Sequence, residues 1–337
     1  MKVAAMFDDG TAGLVDKPDP VPKEDFVLVK VHVTPMCTEY KGFRPGRERV
    51  GFGHEAVGEV VEVAQPGCVE VGDRVVVQCG SGCGRCPMCL IGEEIHCQQS
   101  RSARAVTGSR TFGTYAQYVL KQDWLCSPIP DDMSYEHAGM ALCGLGPTFG
   151  AMQQMQVNAL DTVLITGLGP VGLGGVINAS YRGSRVIGVD SIPYRAELAK
   201  ELGAEVVLDP NDENVLEQIM ELTDGIGVDK AVDCSGASPA HRLMVDATRR
   251  KGQATFIGEG GEFPLAASRD MIRKGLVLRG NWHYNLGDYP GLMKVIQDSG
   301  EKLDKHITHT FPMSQVQSAW ELQMTGNCGK VILYPWE

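Results

Sequence analysis

No stretch of this sequence approaches the ~20 consecutive apolar residues that a membrane-spanning helix requires. The opening Met1-Lys2-Val3-Ala4-Ala5-Met6-Phe7-Asp8-Asp9 lacks the apolar core of a secretory leader, because its apolar run stops at a pair of acids. These two absences lead us to expect a cytoplasmic protein. Basic side chains are in deficit: 31 Lys and Arg stand against 42 Asp and Glu, a net charge of −11. That balance argues against nucleic acid or an anionic membrane as the main partner. Internal repeats and low-complexity linkers are also missing. Cysteine is not scarce. Eleven cysteines in a cytosolic chain point to metal or catalysis rather than disulfides. At 337 residues the chain is long enough for two separate cores.

The most informative stretch runs from Asp161 to Asp190. Val163–Thr166 has the β-branched character and length of a buried strand, and Gly167-Leu168-Gly169-Pro170-Val171-Gly172 follows it with G-x-G-x-x-G spacing. Val171 to Tyr181 reads as an apolar, small-residue helix, and a second strand, Arg185–Val189, ends in Asp190. Each part has a reason. Gly167 permits a tight turn, Gly169 lets backbone approach a pyrophosphate, and Gly172 lets helix and strand pack closely. The helix N-terminus offers free N–H groups to phosphate. A strand before the motif, a helix after it and an acid about 20 residues on are the context a dinucleotide-binding motif requires. Asp190 is expected to bond the adenosine ribose hydroxyls and repel a 2′-phosphate, which favours NAD over NADP. Arg195 is a second cofactor candidate, for contact with adenine, against the plainer role of a helix-surface cation.

Around this stretch the pattern changes. Residues 1–145 are strand-rich (Phe26–Val33, Val57–Val63, Arg74–Val77, Thr114–Leu120), with Pro/Gly turns between, and helical pattern begins at Ser134, a candidate N-cap. Residues 146–285 alternate strands and helices, which predicts a doubly wound parallel sheet. The strands are Val163–Thr166, Val186–Val189, Glu205–Leu208, Lys230–Cys234, Ala254–Ile257 and Val277–Arg279; the helices include Tyr194–Leu202 and Val215–Leu222. Residues 286–337 carry helices over Tyr289–Ser299 and Ser314–Met324 and a last strand, Lys330–Tyr334. A nucleotide domain inserted into a split catalytic domain would explain that late return of strand.

Two cysteine sets stand out. Cys83, Cys86, Cys89 and Cys97 follow C-x2-C-x2-C-x7-C, four soft thiolates suited to a tetrahedral structural zinc in a lobe over about 79–100, with Gly84 and Gly92 supplying turns. An iron–sulfur cluster is the alternative. Cys79 and His96 are spare potential ligands, Cys79 outside the regular spacing and His96 on the surface. The second set is dispersed: Cys37 in a loop, His54-Glu55 before a strand, and Cys143 in Ala141-Leu142-Cys143-Gly144. Three ligands from distant points with an open fourth position are what a catalytic zinc uses. Cys68, Cys126, Cys234 and Cys328 read as small buried residues.

Taken together, the Cys37 loop, Gly53-His54-Glu55, Val71-Gly72-Asp73-Arg74-Val75, the four-cysteine lobe, the glycine motif, Asp190 with Arg195, and Cys328-Gly329-Lys330-Val331 resemble the zinc-dependent medium-chain dehydrogenase/reductase family. Within it the chain is similar to the alcohol, sorbitol and threonine dehydrogenases, and the resemblance covers essentially the whole chain. It implies an α/β chain with a GroES-like β-rich catalytic domain, a Rossmann domain, a homodimer or homotetramer, two zinc ions per subunit, and reversible oxidation of an alcohol. It further implies Cys37, His54 and Cys143 as ligands of the catalytic zinc, with Glu55 beside it as an occasional ligand. The metal would lower the alcohol's pKa and favour hydride transfer to the nicotinamide.

The sequence departs from that family at three places. No residue separates Cys37 from the Thr38-Glu39 pair, the segment from Cys37 to His54 is short, and Cys143 stands where sorbitol-type relatives often use an acid. The substrate expected is a polar secondary alcohol, a polyol or amino alcohol. A zinc-independent, quinone-reductase-type relative and a non-catalytic dinucleotide-binding protein are the competing readings; the Cys37/His54/Cys143 set and the lobe argue against the first, and retention of metal and relay candidates against the second. For the proton relay, Thr38 is the candidate first group and Glu39 a supporting acid, with Thr34 pointing away and Tyr40 as reserve. Lys41, Arg44, Arg47 and Arg49 form a local basic cluster, read as a solvated loop ahead of an anion clamp. Gly280-Asn281-Trp282-His283-Tyr284-Asn285 is a polar-aromatic run after a strand, with His283 read as a packed interface histidine ahead of one that reaches substrate.

Overall fold

The strand Phe26–Pro35 is the spine of a seven-stranded sheet in the computed structural model, which describes residues 1–337. It is almost wholly buried, as its run of valines requires. One side pairs antiparallel with Ala56–Val63, which continues to Arg74–Val77 and Cys126–Pro128. Its other side is shared. Tyr118–Gln122 takes the first half, and Lys330–Tyr334, from the end of the chain, takes the second, setting Ile332 opposite Pro35. Lys330–Tyr334 pairs in turn with Ile307–Pro312. A small separate sheet joins Ala12–Asp16, Lys2–Met6 and Arg49–Val50.

The remaining strands form a six-stranded parallel sheet in the order Val206–Leu208, Arg185–Val189, Thr162–Thr166, Val228–Asp233, Thr248–Phe256, Val277–Gly280. In chain order this is 3-2-1-4-5-6, the doubly wound nucleotide-binding arrangement, whose order reverses beside the glycine motif. The sheet and the GroES-like half are not independent cores. One apolar cluster runs from Val33, Val57 and Val76 through Met140–Met155 to Val163, Ile165 and Leu173. A second, around the fully buried Trp320, packs Phe52, Tyr115 and Met36 together just behind Cys37.

The expected strand Thr114–Leu120 is displaced to Tyr118–Gln122. Thr114 and Tyr115 instead donate backbone hydrogen bonds to Gly53 and Phe52 carbonyls, at 3.3 and 2.8 Å, which pins the segment to the loop before His54. The strand Ile307–Pro312 has no counterpart among the strands expected from sequence, because Thr308 and His309 are only half-buried, Thr310 is exposed, and the three give no apolar signal. Ser134 caps Tyr135–Gly139 as expected, its Oγ accepting from the His137 amide at 3.1 Å. Cys126 and Cys328 are buried, but Cys68 is exposed, contrary to expectation, since it lies in a surface turn where its amide donates to Asp123. No helix is long and apolar enough to cross a membrane.

Candidate metal and dinucleotide site

Local structure delivers each member of the dispersed set. Cys37 follows directly on the spine strand, His54 and Glu55 precede Ala56–Val63, and Cys143 lies in a π-helical turn, Met140–Gly144. Inside that turn Leu142 leaves helical geometry (φ −79°, ψ −134°), and the Cys143 amide donates to Glu55 Oε2 at 3.0 Å. Such turns are frequent at functional sites. The donor atoms of Cys37, His54, Glu55 and Cys143 all lie within 4.8 Å of one another. His54 Nε2 is 3.2 Å from Cys143 Sγ.

The residues around this set hold it in place. Glu39 Oε1 lies 2.8 Å from His54 Nδ1, while its Oε2 accepts from the Cys37 amide and the Tyr115 hydroxyl, both at 3.0 Å. A carboxylate on one ring nitrogen fixes the other as the one facing a metal. Burial works against the charged imidazole, but the bonds to Cys37 and Glu39 outweigh it and hold His54 up to about 11. Hydrogen bonding to Cys143 and then burial push the Cys37 thiol up. A bound cation inverts this tendency, because it is the largest local charge and favours the thiolate. Glu55 is fully enclosed and accepts from Lys330 Nζ at 2.7 and 3.0 Å. Burial opposes charge on Lys330, yet Glu55 holds its pKa above the ordinary value. Lys330 as the partner of Glu55, and Glu39 and Tyr115 as the support of His54, were not assigned from sequence. Thr38 is exposed and its hydroxyl makes no hydrogen bond within the protein. Thr34 is buried and donates to the Glu55 carbonyl at 2.6 Å, so its hydroxyl is engaged with backbone.

In the lobe, the sulfurs of Cys83, Cys86, Cys89 and Cys97 lie within 4.8 Å of one another. Cys86 Sγ is 3.6 Å from Cys89 Sγ and 3.7 Å from Cys97 Sγ. A tetrahedron of Zn–S bonds of about 2.3 Å has edges of roughly that length. Backbone amides of Cys83 and Gln99 donate to Cys97 Sγ, each at 3.3 Å. The amides of Arg85 and Cys86 pull the Cys83 thiol down to about 6. Both groups of donors therefore fit a borderline-soft cation such as zinc. His96 is exposed and outside the cluster.

The glycine loop fits a dinucleotide on its own geometry. Gly167 has φ +82°, and a side chain there would strike Ser235. A side chain on Gly172 would overlap the Gly167 carbonyl, whereas one on Gly169 would meet only the end of the Arg195 side chain, at 3.9 Å. The helix Pro170–Tyr181 starts there and points its free amides at that space. Asp190 has a role the sequence did not disclose. Its Oδ2 accepts from the Leu168 amide at 2.6 Å and Oδ1 from the Ile192 amide at 2.9 Å, so it anchors the loop. Arg195 lies beside Gly169 and Gly326, and its buried Nε has no partner. Arg44 and Arg47 are exposed and make no side-chain hydrogen bond or ion pair, and Arg49 stacks on Phe52 at 4.8 Å. His283 is buried and kept uncharged, its pKa pushed down to about 4 by burial. Trp282 points outward, edge-on to His96 of the lobe.

Known proteins resemble this chain over nearly its whole length. Residues 23–131 match the model of an alcohol dehydrogenase GroES-like domain, and residues 170–298 match that of a zinc-binding dehydrogenase. An uncharacterized zinc-type alcohol dehydrogenase-like protein of Escherichia coli K12 is 32% identical, over 99% of this chain and 98% of its own. A sorbitol dehydrogenase of Halalkalibacterium halodurans is 30% identical, over 99% of both chains. Among solved structures, an Escherichia coli CFT073 protein described as a short chain alcohol dehydrogenase complexed with cofactor NADH is 26% identical. It covers 99% of each chain with a TM-score of 0.83.

Proposed function

The chain belongs to the zinc-dependent medium-chain dehydrogenase/reductase family, and from that premise we propose that this oxidoreductase interconverts a polar secondary alcohol and its ketone with NAD. The observation that carries the proposal is the convergence of Cys37, His54 and Cys143 from three distant stretches of chain, with Cys143 next to Gly144, on which the helix that opens at the glycine loop packs. We divide the chain at 145/146 and 285/286, with the last segment returning to the catalytic domain.

In this reading Cys37, His54 and Cys143 hold the catalytic zinc, and Cys83, Cys86, Cys89 and Cys97 hold the structural one. When bound, zinc supplies Lewis acidity that lowers the alcohol's pKa, and NAD supplies the hydride acceptor. The chain's own residues do the rest. Glu39 orients His54. Glu55 and Lys330 set a compensated charge behind the ligands. Thr38, exposed next to Cys37, passes the substrate proton toward solvent. Asp190 holds the glycine loop and keeps lone pairs for the ribose hydroxyls. Arg195 faces the cofactor's anionic part with a guanidinium that has no protein partner at Nε. The sorbitol dehydrogenase relative supports a polyol, and amino alcohols share the same polar character. Two zinc ions per subunit and self-association as a dimer or tetramer complete the proposal.

Absorbance of reduced cofactor, read over a panel of polyols, sugar alcohols and amino alcohols, tests the reading. Turnover with NAD is expected for at least one polyol or amino alcohol. A higher kcat/KM with NADP would overturn the cofactor assignment. Metal analysis is expected to give two zinc ions per subunit; one would mean that one cysteine set binds nothing.

A further inference from the structure

Against the Cys37–His54–Cys143 set lies another group that the proposed reaction does not use. The sulfurs of Cys79 and Cys143 and a ring nitrogen of His283 also lie within 4.8 Å of one another, so Cys143 belongs to both groups. The surrounding structure holds this arrangement firmly. Tyr284 donates its hydroxyl to Gln78 Oε1 at 2.8 Å in the buried core. These two residues are the sequence neighbours of His283 and Cys79, so their bond ties together the segments that carry them. Gln78 is fixed in turn through Ser127 and the Leu125 carbonyl. The His283 carbonyl accepts from Asn281 Nδ2 at 2.7 Å and lies so close to Gly150 that no side chain fits between them. Lys121 Nζ donates to the Cys79 carbonyl at 3.3 Å.

Within this frame His283 is 8% exposed, and its Nε2 is buried with no hydrogen-bond partner. Buried polar atoms are usually paired, and here the unpaired ring lies beside two sulfurs. Two sulfurs and an imidazole suit zinc or another borderline-soft cation, and no carboxylate in the trio suits a hard one. We propose that the catalytic ion has a second resting position, held by Cys79, Cys143 and His283, which it reaches by pivoting about Cys143 while leaving Cys37 and His54. Cys37 takes up a thiol proton as Cys79 releases one, so the charge around the ion and the proton count are unchanged. The inference rests on the metal-centre reading above.

Cobalt(II) replaces zinc as the probe, with bound cobalt counted per subunit and thiolate-to-cobalt charge-transfer absorbance recorded. The native chain is expected to hold two ions. The Cys37→Ser, His54→Gln chain should still hold two, with thiolate absorbance beyond that of the lobe. Adding Cys79→Ser and His283→Gln should reduce it to one. If the native chain holds two and Cys37→Ser, His54→Gln holds one, the second position is refuted and the metal-centre reading stands. One ion in the native chain refutes both. Two ions in the fourfold variant refute the second position. Should Cys37→Ser, His54→Gln not fold, Cys79→Ser and His283→Gln singly in the native background decide the matter. Each should alter the cobalt spectrum without changing the count, Cys79→Ser by loss of charge-transfer intensity, and spectra identical to native would refute the proposal.

Discussion

Lys330 Nζ lies 2.7 Å from one oxygen of Glu55 and 3.0 Å from the other, and neither side chain has any exposure to solvent. Breaking one side of such a pair leaves an uncompensated buried charge, at a cost of about 3–5 kcal/mol, whereas removing both charges together is often close to neutral. Lys330→Met should therefore lower the free energy of unfolding in urea by about that amount. The double substitution Glu55→Gln, Lys330→Met should recover most of it. Equal losses in the single and double variants would mean that packing, not charge, sets the cost.

Glycines of one motif should respond differently to alanine. A methyl on Gly172 meets the Gly167 carbonyl, so Gly172→Ala should lower the thermal midpoint and accumulate poorly. A methyl on Gly169 meets only the flexible end of Arg195 at 3.9 Å, so Gly169→Ala should fold normally and lose NAD affinity, because the added methyl stands where backbone must approach pyrophosphate. Calorimetric titration with NAD and a melting curve separate the two. Unchanged NAD affinity in Gly169→Ala would move the pyrophosphate elsewhere.

Thr38 and Glu39 are adjacent, yet their substitutions should affect different measurements. Thr38→Val should keep metal and NAD and lose roughly 100- to 10,000-fold in kcat, the range for a lost proton-transfer group; Thr38→Ser should stay active. Near-normal kcat in Thr38→Val, where chemistry limits the rate, would transfer the role to Tyr40. Glu39→Gln removes the carboxylate on His54 Nδ1 and should weaken the catalytic metal about 10- to 100-fold in competition with a chelator.

His306 is fully enclosed, neither ring nitrogen has a partner, and burial, aided by the charge of Lys330, pushes its pKa down to about 3. In the unfolded chain it titrates near ~6.5. Between those values the unfolded chain binds the extra proton, so stability falls as pH drops, by at most ~1.4 kcal/mol per pH unit from this group. His306→Leu should flatten the stability profile between pH ~6.5 and ~4 relative to the native chain. Parallel profiles would show that the ring gains a proton in the folded state.

The parts of this molecule written in contiguous sequence are legible from the chain alone. The strand, glycine turn, helix and Asp190 follow within one short stretch, and the lobe cysteines have a spacing few other roles impose. The helix expected at Val171–Tyr181 spans Pro170–Tyr181, and the last strand, Lys330–Tyr334, has the expected bounds. What could not be read depends on pairs far apart in the chain. Nothing near Lys330 announces Glu55, because a lysine at a strand start is ordinarily solvated. Glu39 could be placed beside Cys37, but its grip on His54 depends on how two loops fold over Trp320. The π-helical turn at Cys143 was illegible for another reason: its irregular Leu142 geometry follows from packing against the neighbouring helix, not from local propensity.

That packing has a mechanical consequence. A side chain on Gly174, in the helix that opens at the glycine loop, would collide with the carbonyl of Gly144, and Asn178 of the same helix donates to the Leu145 carbonyl at 3.0 Å. Cys143 thus travels with the nucleotide-facing half, while Cys37 and His54 hang from the seven-stranded sheet. An ion gripped by all three is a rivet through the joint between the two halves. Such an ion would cross-link stretches far apart in the chain, and clips that close long loops add most to the folded state, so it would resist unfolding as well as hold alignment.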